Sequence, residues 1–163
     1  MLMQILVDGG LALVIAALGL VVATVAIHVV GFSLLIRALI WSQALTRSGL
    51  QYAILSMIGL TCWLILIHLL EISVWGLFYV RQGCLPDAET ALYFSGITYT
   101  TVGYGDIVLP KPWRLLAPLE SLTGILMCGL STGLFFAFVS RWINNAFQGK
   151  FSAKPHPRTP TNE

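Results

Sequence analysis

An all-α membrane protein is predicted, with three transmembrane helices and one short helix that enters the membrane and turns back. Three observations predict it. Of the 163 residues, 57% are hydrophobic and only 10% are charged, and the mean hydropathy is +0.85. That balance lies outside the range of soluble domains. Three apolar runs each reach the length of about 20 residues that a helix needs to cross a bilayer. Between the second and third runs the chain is only moderately polar, and it carries Thr100-Thr101-Val102-Gly103-Tyr104-Gly105-Asp106.

The first span runs from Leu11 to Ile36. No basic segment precedes it, Asp8 does, and its apolar run is too long for a signal peptide, so a retained helix is expected. The second span runs from about Tyr52 to Val80. Gln82-Gly83-Cys84-Leu85-Pro86 then breaks the helix. Asp87 is placed to cap the next one, with Glu89 in its first turn favouring the dipole. That helix should end near Tyr99, too short to cross, so it must turn back; its backbone is tolerable there only if walled by protein or lining water. Ile107 to Pro112 reads as a proline-rich turn. The third span runs from about Leu115 to Ile143, with Pro118 in its first turns, where the missing N–H costs least. After Asn145 the chain is polar, with Pro155, Pro157 and Pro160, and a disordered tail is expected. Three units follow: residues 1–50 (extra helix and link), 51–146 (second and third spans with the re-entrant segment) and 147–163 (tail).

Aromatic residues are expected at the membrane surfaces: Trp75, Tyr79 and Trp113 at one, Trp41, Tyr52 and Trp142 at the other. Trp63 falls mid-span and is assigned to packing. Three cysteines give no disulfide framework. Cys62 and Cys128 are expected to pack as small hydrophobes. Cys84 is expected as a free thiol, with a bridge between subunits as the lesser alternative.

Residues 100–106 carry the chemistry. Glycine at 103 and 105 allows left-handed dihedrals without a Cβ clash. Alternating those with ordinary dihedrals turns successive carbonyls toward one axis. Val102 and Tyr104 then send their side chains away from it, and Thr101 can add a ring of hydroxyls at one end. Thr-Val-Gly-Tyr-Gly resembles the signature of potassium selectivity filters, in which four copies give stacked carbonyl rings that replace the water shell of K⁺.

On these residues the chain resembles the tetrameric pore-loop potassium channels from about Tyr52 to Trp142, and looks most like small bacterial ones with an added N-terminal helix. The resemblance implies a homotetramer, in which each chain has three identical partner subunits, embedded in a lipid bilayer and conducting K⁺ passively. It implies ion sites at Thr101, Val102, Gly103 and Tyr104, continued by Gly105, with Thr100 beside them. It implies that Tyr93 and Phe94 brace the filter tyrosine, and that Tyr93 could donate to Asp106. Ile97 departs from relatives that place an acid there. Gly124 matches a hinge position, although close packing competes. Gly129 and Gly133, a small-xxx-small pair, are assigned to packing. Ile125, Cys128, Thr132 and Phe136 form a stripe at helical spacing, expected to line the cavity, with Phe136 as a candidate constriction.

If the filter faces outward, Arg37, Arg47, Arg141, Lys150, Lys154 and Arg158 are cytoplasmic, against Arg81, Lys111 and Arg114 outside. That follows the positive-inside rule and places the N-terminus outside and the C-terminus inside, in a plasma membrane, by resemblance a bacterial inner one. Asp8, Asp87, Glu89 and Asp106 would raise cation concentration at the mouth.

His28, His68, Glu71 and Glu120 lie within spans, where ionisable groups usually have partners. His68 and Glu71, three apart, are expected to pair, and are a candidate proton-sensing couple. Counted from the cytoplasmic helix ends, His28 falls too shallow to meet His68. Glu71 and Glu120 are expected in one polar cluster, for structural hydrogen bonding. No metal site is expected, and no cofactor beyond the permeant ion, no nucleic-acid partner and no enzymatic constellation. Two rival readings are a non-conducting sensor or assembly module that keeps the pore fold, and a K⁺ transport subunit of a larger complex.

Overall fold

The computed structural model describes residues 10–42 and 50–152. Its helices are α1 (Leu11–Trp41), α2 (Leu50–Arg81), α3 (Ala88–Tyr99) and α4 (Leu116–Ser152), with a 3₁₀ turn at Lys111–Trp113. No strand occurs among the described residues. Three helices are long and apolar enough to cross a membrane: Leu11–Trp41, Gln51–Arg81 and Lys111–Asn145. The all-α membrane architecture is therefore as the sequence implied, with α3 as the short fourth helix. Two boundaries differ. α1 continues to Trp41, and α4 continues to Ser152, through the first residues of the expected tail. The rest of that tail, Asp8 and Arg47 lie outside the described residues.

Helix ends follow local chemistry. α2 stops at a Schellman motif: Cys84 N–H bonds the Tyr79 carbonyl at 2.9 Å and Gly83 N–H bonds that of Val80 at 3.0 Å. Gly83 holds φ +64°, the left-handed conformation this closure demands. Three residues on, the Asp87 carboxylate accepts from the Thr90 N–H at 2.8 Å and its hydroxyl at 2.9 Å. These two bonds hold the Asp87 carboxyl below the usual carboxylate range. A lowered folded pKa stabilises α3 above the unfolded value and loses that stabilisation as pH falls through the folded one. We expect the melting temperature of Asp87→Ala to lie below wild type at neutral pH. The gap should begin to close as pH drops below the ordinary value of 3.8.

α1 packs on α2 and α4 of the same chain. Its buried residues are Ala17, Leu20, Thr24, His28, Gly31 and Leu35, one face at spacings of three and four. The opposite face, including Leu18, Val22 and Val29, is exposed and suited to lipid. Gly31 allows the close approach: a Cβ there would meet Ile67 Cδ1 at 2.6 Å. Trp63 donates to the Gly31 carbonyl at 3.0 Å, so its packing role holds.

Two apolar cores form. One joins Ala17, Leu20, Trp75, Tyr79, Ala91, Phe94 and Leu116. The other joins Leu35, Leu60, Leu64, Ile67 and Phe138. Trp75 and Tyr79 are thus core residues, fully buried, and not the surface anchors expected. Each has a buried polar partner, which is why burial is tolerated: Trp75 donates to Thr24 Oγ1 at 2.9 Å and Tyr79 to Glu120 Oε2 at 2.7 Å. Cys84 is also free and buried within the chain.

Candidate functional site

α3 ends at Tyr99, and its last carbonyls must find donors outside the helix. Thr100 N–H and hydroxyl both bond the Gly96 carbonyl, at 3.2 and 2.6 Å. Gly103 N–H bonds Ile97 O at 3.0 Å. Thr98 O accepts from Thr101 N–H at 3.0 Å and from the Ser121 hydroxyl of α4 at 2.8 Å. The base of the loop is therefore wound onto the helix end and pinned to α4.

Beyond that base the backbone is extended. Thr101, Gly103 and Gly105 hold φ of +62°, +52° and +77°. Left-handed residues thus alternate with Val102 and Tyr104. Residues Thr101 to Asp106 are exposed in the subunit. Among the described residues, no donor meets the carbonyls of Thr101, Val102, Gly103 or Tyr104. Bare carbonyls within a membrane are tolerable only when something else satisfies them.

The far end of the loop is tied by Tyr93, whose hydroxyl donates to Asp106 Oδ2 at 2.8 Å. This bond raises the Tyr93 pKa. Phe94 is buried, meets Tyr79 edge-on with ring centroids 5.4 Å apart, and lines a cavity with Gly103 and Gly105, while Tyr104 is 73% exposed in the chain.

Gly124 is a contact, not open space. A Cβ there would stand 2.1 Å from the Tyr99 carbonyl oxygen. Gly129 and Gly133, assigned to packing, meet nothing within their subunit. Ile125, Thr132 and Phe136 are exposed and Cys128 partly so, one continuous face of α4 that the subunit itself does not cover.

The ionisable residues form two networks, not one. Glu120 accepts from Tyr79 and is held by the Ser95 hydroxyl, which also reaches Ile72 O at 2.9 Å. Removing this carboxylate strands the buried Tyr79 hydroxyl, while the Ser95 hydroxyl keeps the Ile72 carbonyl. Glu120→Ala should cost about 2 kcal/mol, read as a lower melting temperature, because an unpaired buried polar group is expensive.

Glu71 anchors the other network. The expected pair with His68 is present, Nδ1 to Oε2 at 3.1 Å. His28 joins it, Nδ1 to Oε1 at 2.8 Å, and the two imidazole rings lie 5.5 Å apart. Depth counted from a helix end at Ile36 sets His28 too shallow for this meeting; α1 runs on to Trp41, which places His28 about 7 Å deeper from its end. Tyr99 is the fourth member, within hydrogen-bond reach of Glu71 and 3.0 Å from His68. Sequence reasoning missed it; its place as the last residue of α3, four before Gly103, was the available signal.

Residues 65–141 match a family model described as an ion channel. The matched segment runs from the middle of α2 through α3 and the loop into α4, and leaves α1 outside. No curated protein matches the chain. No solved structure matches it. The match, with three apolar helices, supports a multi-pass membrane protein with ion-channel activity.

Proposed function

We propose that this chain forms a potassium-selective channel in which loop 101–105 is the filter. The observation that carries the reading is the alternation of left-handed Thr101, Gly103 and Gly105 with Val102 and Tyr104, leaving four successive carbonyls without donors. Dehydrated K⁺ supplies what those oxygens lack. One strand cannot surround an ion, so four subunits are required, and the exposed loop and the uncovered face of α4 are the surfaces they would bury. α3 then points its partially negative end at the cavity below, stabilising a cation there. Ile125, Cys128, Thr132 and Phe136 line that cavity. The filter faces outward, with Arg37 and Arg141 on the cytoplasmic side.

Purified protein in liposomes should carry K⁺ or Rb⁺ flux that excess Na⁺ does not match. In detergent the assembly should melt at a higher temperature in K⁺ than in Na⁺, since a ligand bound only by the folded form stabilises it. Equal Na⁺ permeation, or no flux from an intact assembly, would refute selectivity. The second outcome would favour a non-conducting assembly module.

A further inference from the structure

We propose that His28, His68 and Glu71 bind a divalent transition-metal ion of the zinc or cobalt type, with the Tyr99 hydroxyl as a fourth donor. The site lies within one chain, uses none of the loop carbonyls, and does not depend on the potassium reading. α1 supplies His28, α2 supplies His68 and Glu71, and one ligand atom from each lies within 4.8 Å of the others. His28 and Glu71 are buried, and His68 is 18% exposed, which leaves an entry path on its side.

The distances fit. A tetrahedral ion with bonds of about 2.0–2.1 Å separates its ligand atoms by about 3.3 Å and two imidazole centroids by about 5 Å. Here Glu71 Oε1 lies 2.8 Å from His28 Nδ1 and Glu71 Oε2 3.1 Å from His68 Nδ1. The His28 and His68 centroids are 5.5 Å apart. Opening the cluster by a few tenths of an ångström makes room for the ion. Two imidazoles with a carboxylate favour zinc and its neighbours over magnesium or calcium.

An outer hydrogen bond is also in place. His68 Nε2 sits 3.0 Å from Ser131 Oγ, an outer partner of the kind that fixes a ligating histidine. With Nε2 donating to that hydroxyl, Nδ1 presents on the Glu71 side the lone pair that a metal ion would take. His28 Nε2 is buried and has no hydrogen-bond partner among the described residues, so Nδ1, the nitrogen that faces Glu71, is the one placed to ligate. An ion here would tie α1 and α2 to the last residue of α3, directly beneath loop 100–106.

The test is a Co²⁺ titration of the purified full-length protein in detergent, read by visible absorption and by metal content after dialysis. One Co²⁺ per subunit is expected, with the intense band of four-coordinate cobalt, displaced by Zn²⁺. His28→Ala and Glu71→Gln should weaken binding at least 100-fold. Tyr99→Phe keeps the ring and removes only the oxygen, so it should fold, shift the band and weaken binding about tenfold. Absence of stoichiometric cobalt in wild type, or unchanged affinity and spectrum in all three variants, overturns the proposal. A cobalt band without K⁺ flux would refute the conduction reading alone.

Discussion

Gly103→Ala is expected to abolish selective K⁺ flux while the subunits still assemble. Gly103 holds φ +52°, and nothing within 4 Å would meet an added Cβ in the subunit. The penalty is therefore torsional. A left-handed alanine costs about 1–2 kcal/mol, which in the proposed tetramer sums to about 4–8 kcal/mol for one pore. That strain relaxes by swinging the peptide toward ordinary dihedrals, which turns a carbonyl off the axis. Rb⁺ uptake into liposomes, with assembly followed by size-exclusion chromatography, checks it. Wild-type uptake by the variant would mean that the left-handed geometry at Gly103 is not needed for conduction. Thr101, at φ +62° with a β-branched side chain, already stores strain of this kind, in keeping with a functional site.

Gly124→Ala should produce the largest loss of stability. Its Cβ would lie 2.1 Å from the Tyr99 carbonyl oxygen and 2.9 Å from the carbonyl carbon. Backbone atoms at a helix end cannot rotate away as a side chain can. Either α4 shifts outward or the last turn of α3 unwinds, and the loop moves with it. Overpacking costs about 1–3 kcal/mol when side chains can yield, and the upper end or more is expected here. A fall of several degrees in melting temperature, with reduced flux, is the expected reading. If Gly124 served only as a hinge, the melting temperature would stay put and opening alone would change.

Several elements were legible in the chain because they rest on local physics. Asp87 announces the start of α3 through its side-chain oxygens, and Gly83 the end of α2 through its freedom at positive φ. The alternation at 101–105 follows from glycine spacing. The link from Tyr93 to Asp106 was legible by resemblance. Pairing of His68 with Glu71 follows from three residues of helix.

The buried face of α1 was not legible. Lipid is as apolar as a protein core, so Val22 outside and Leu20 inside look alike in hydropathy. The face is marked instead by Thr24, His28 and Gly31, whose roles depend on Trp75, Glu71 and Ile67 of another helix. The same reasoning misplaced Trp75 and Tyr79: amphipathic rings suit a membrane surface, and they equally suit a core that offers Thr24 and Glu120 as partners.

By itself the sequence determined three apolar helices, a capped short helix that cannot cross, and a glycine-spaced loop with left-handed turns, since each depends on length, composition or neighbours a few residues away. Only the tertiary structure decided that α1 packs on α2 and α4 of the same chain, that His28 meets His68, Glu71 and Tyr99, and that Gly124 is a contact. Those facts depend on how helices stagger and which faces meet, and hydropathy carries little of that where core and solvent are both oily.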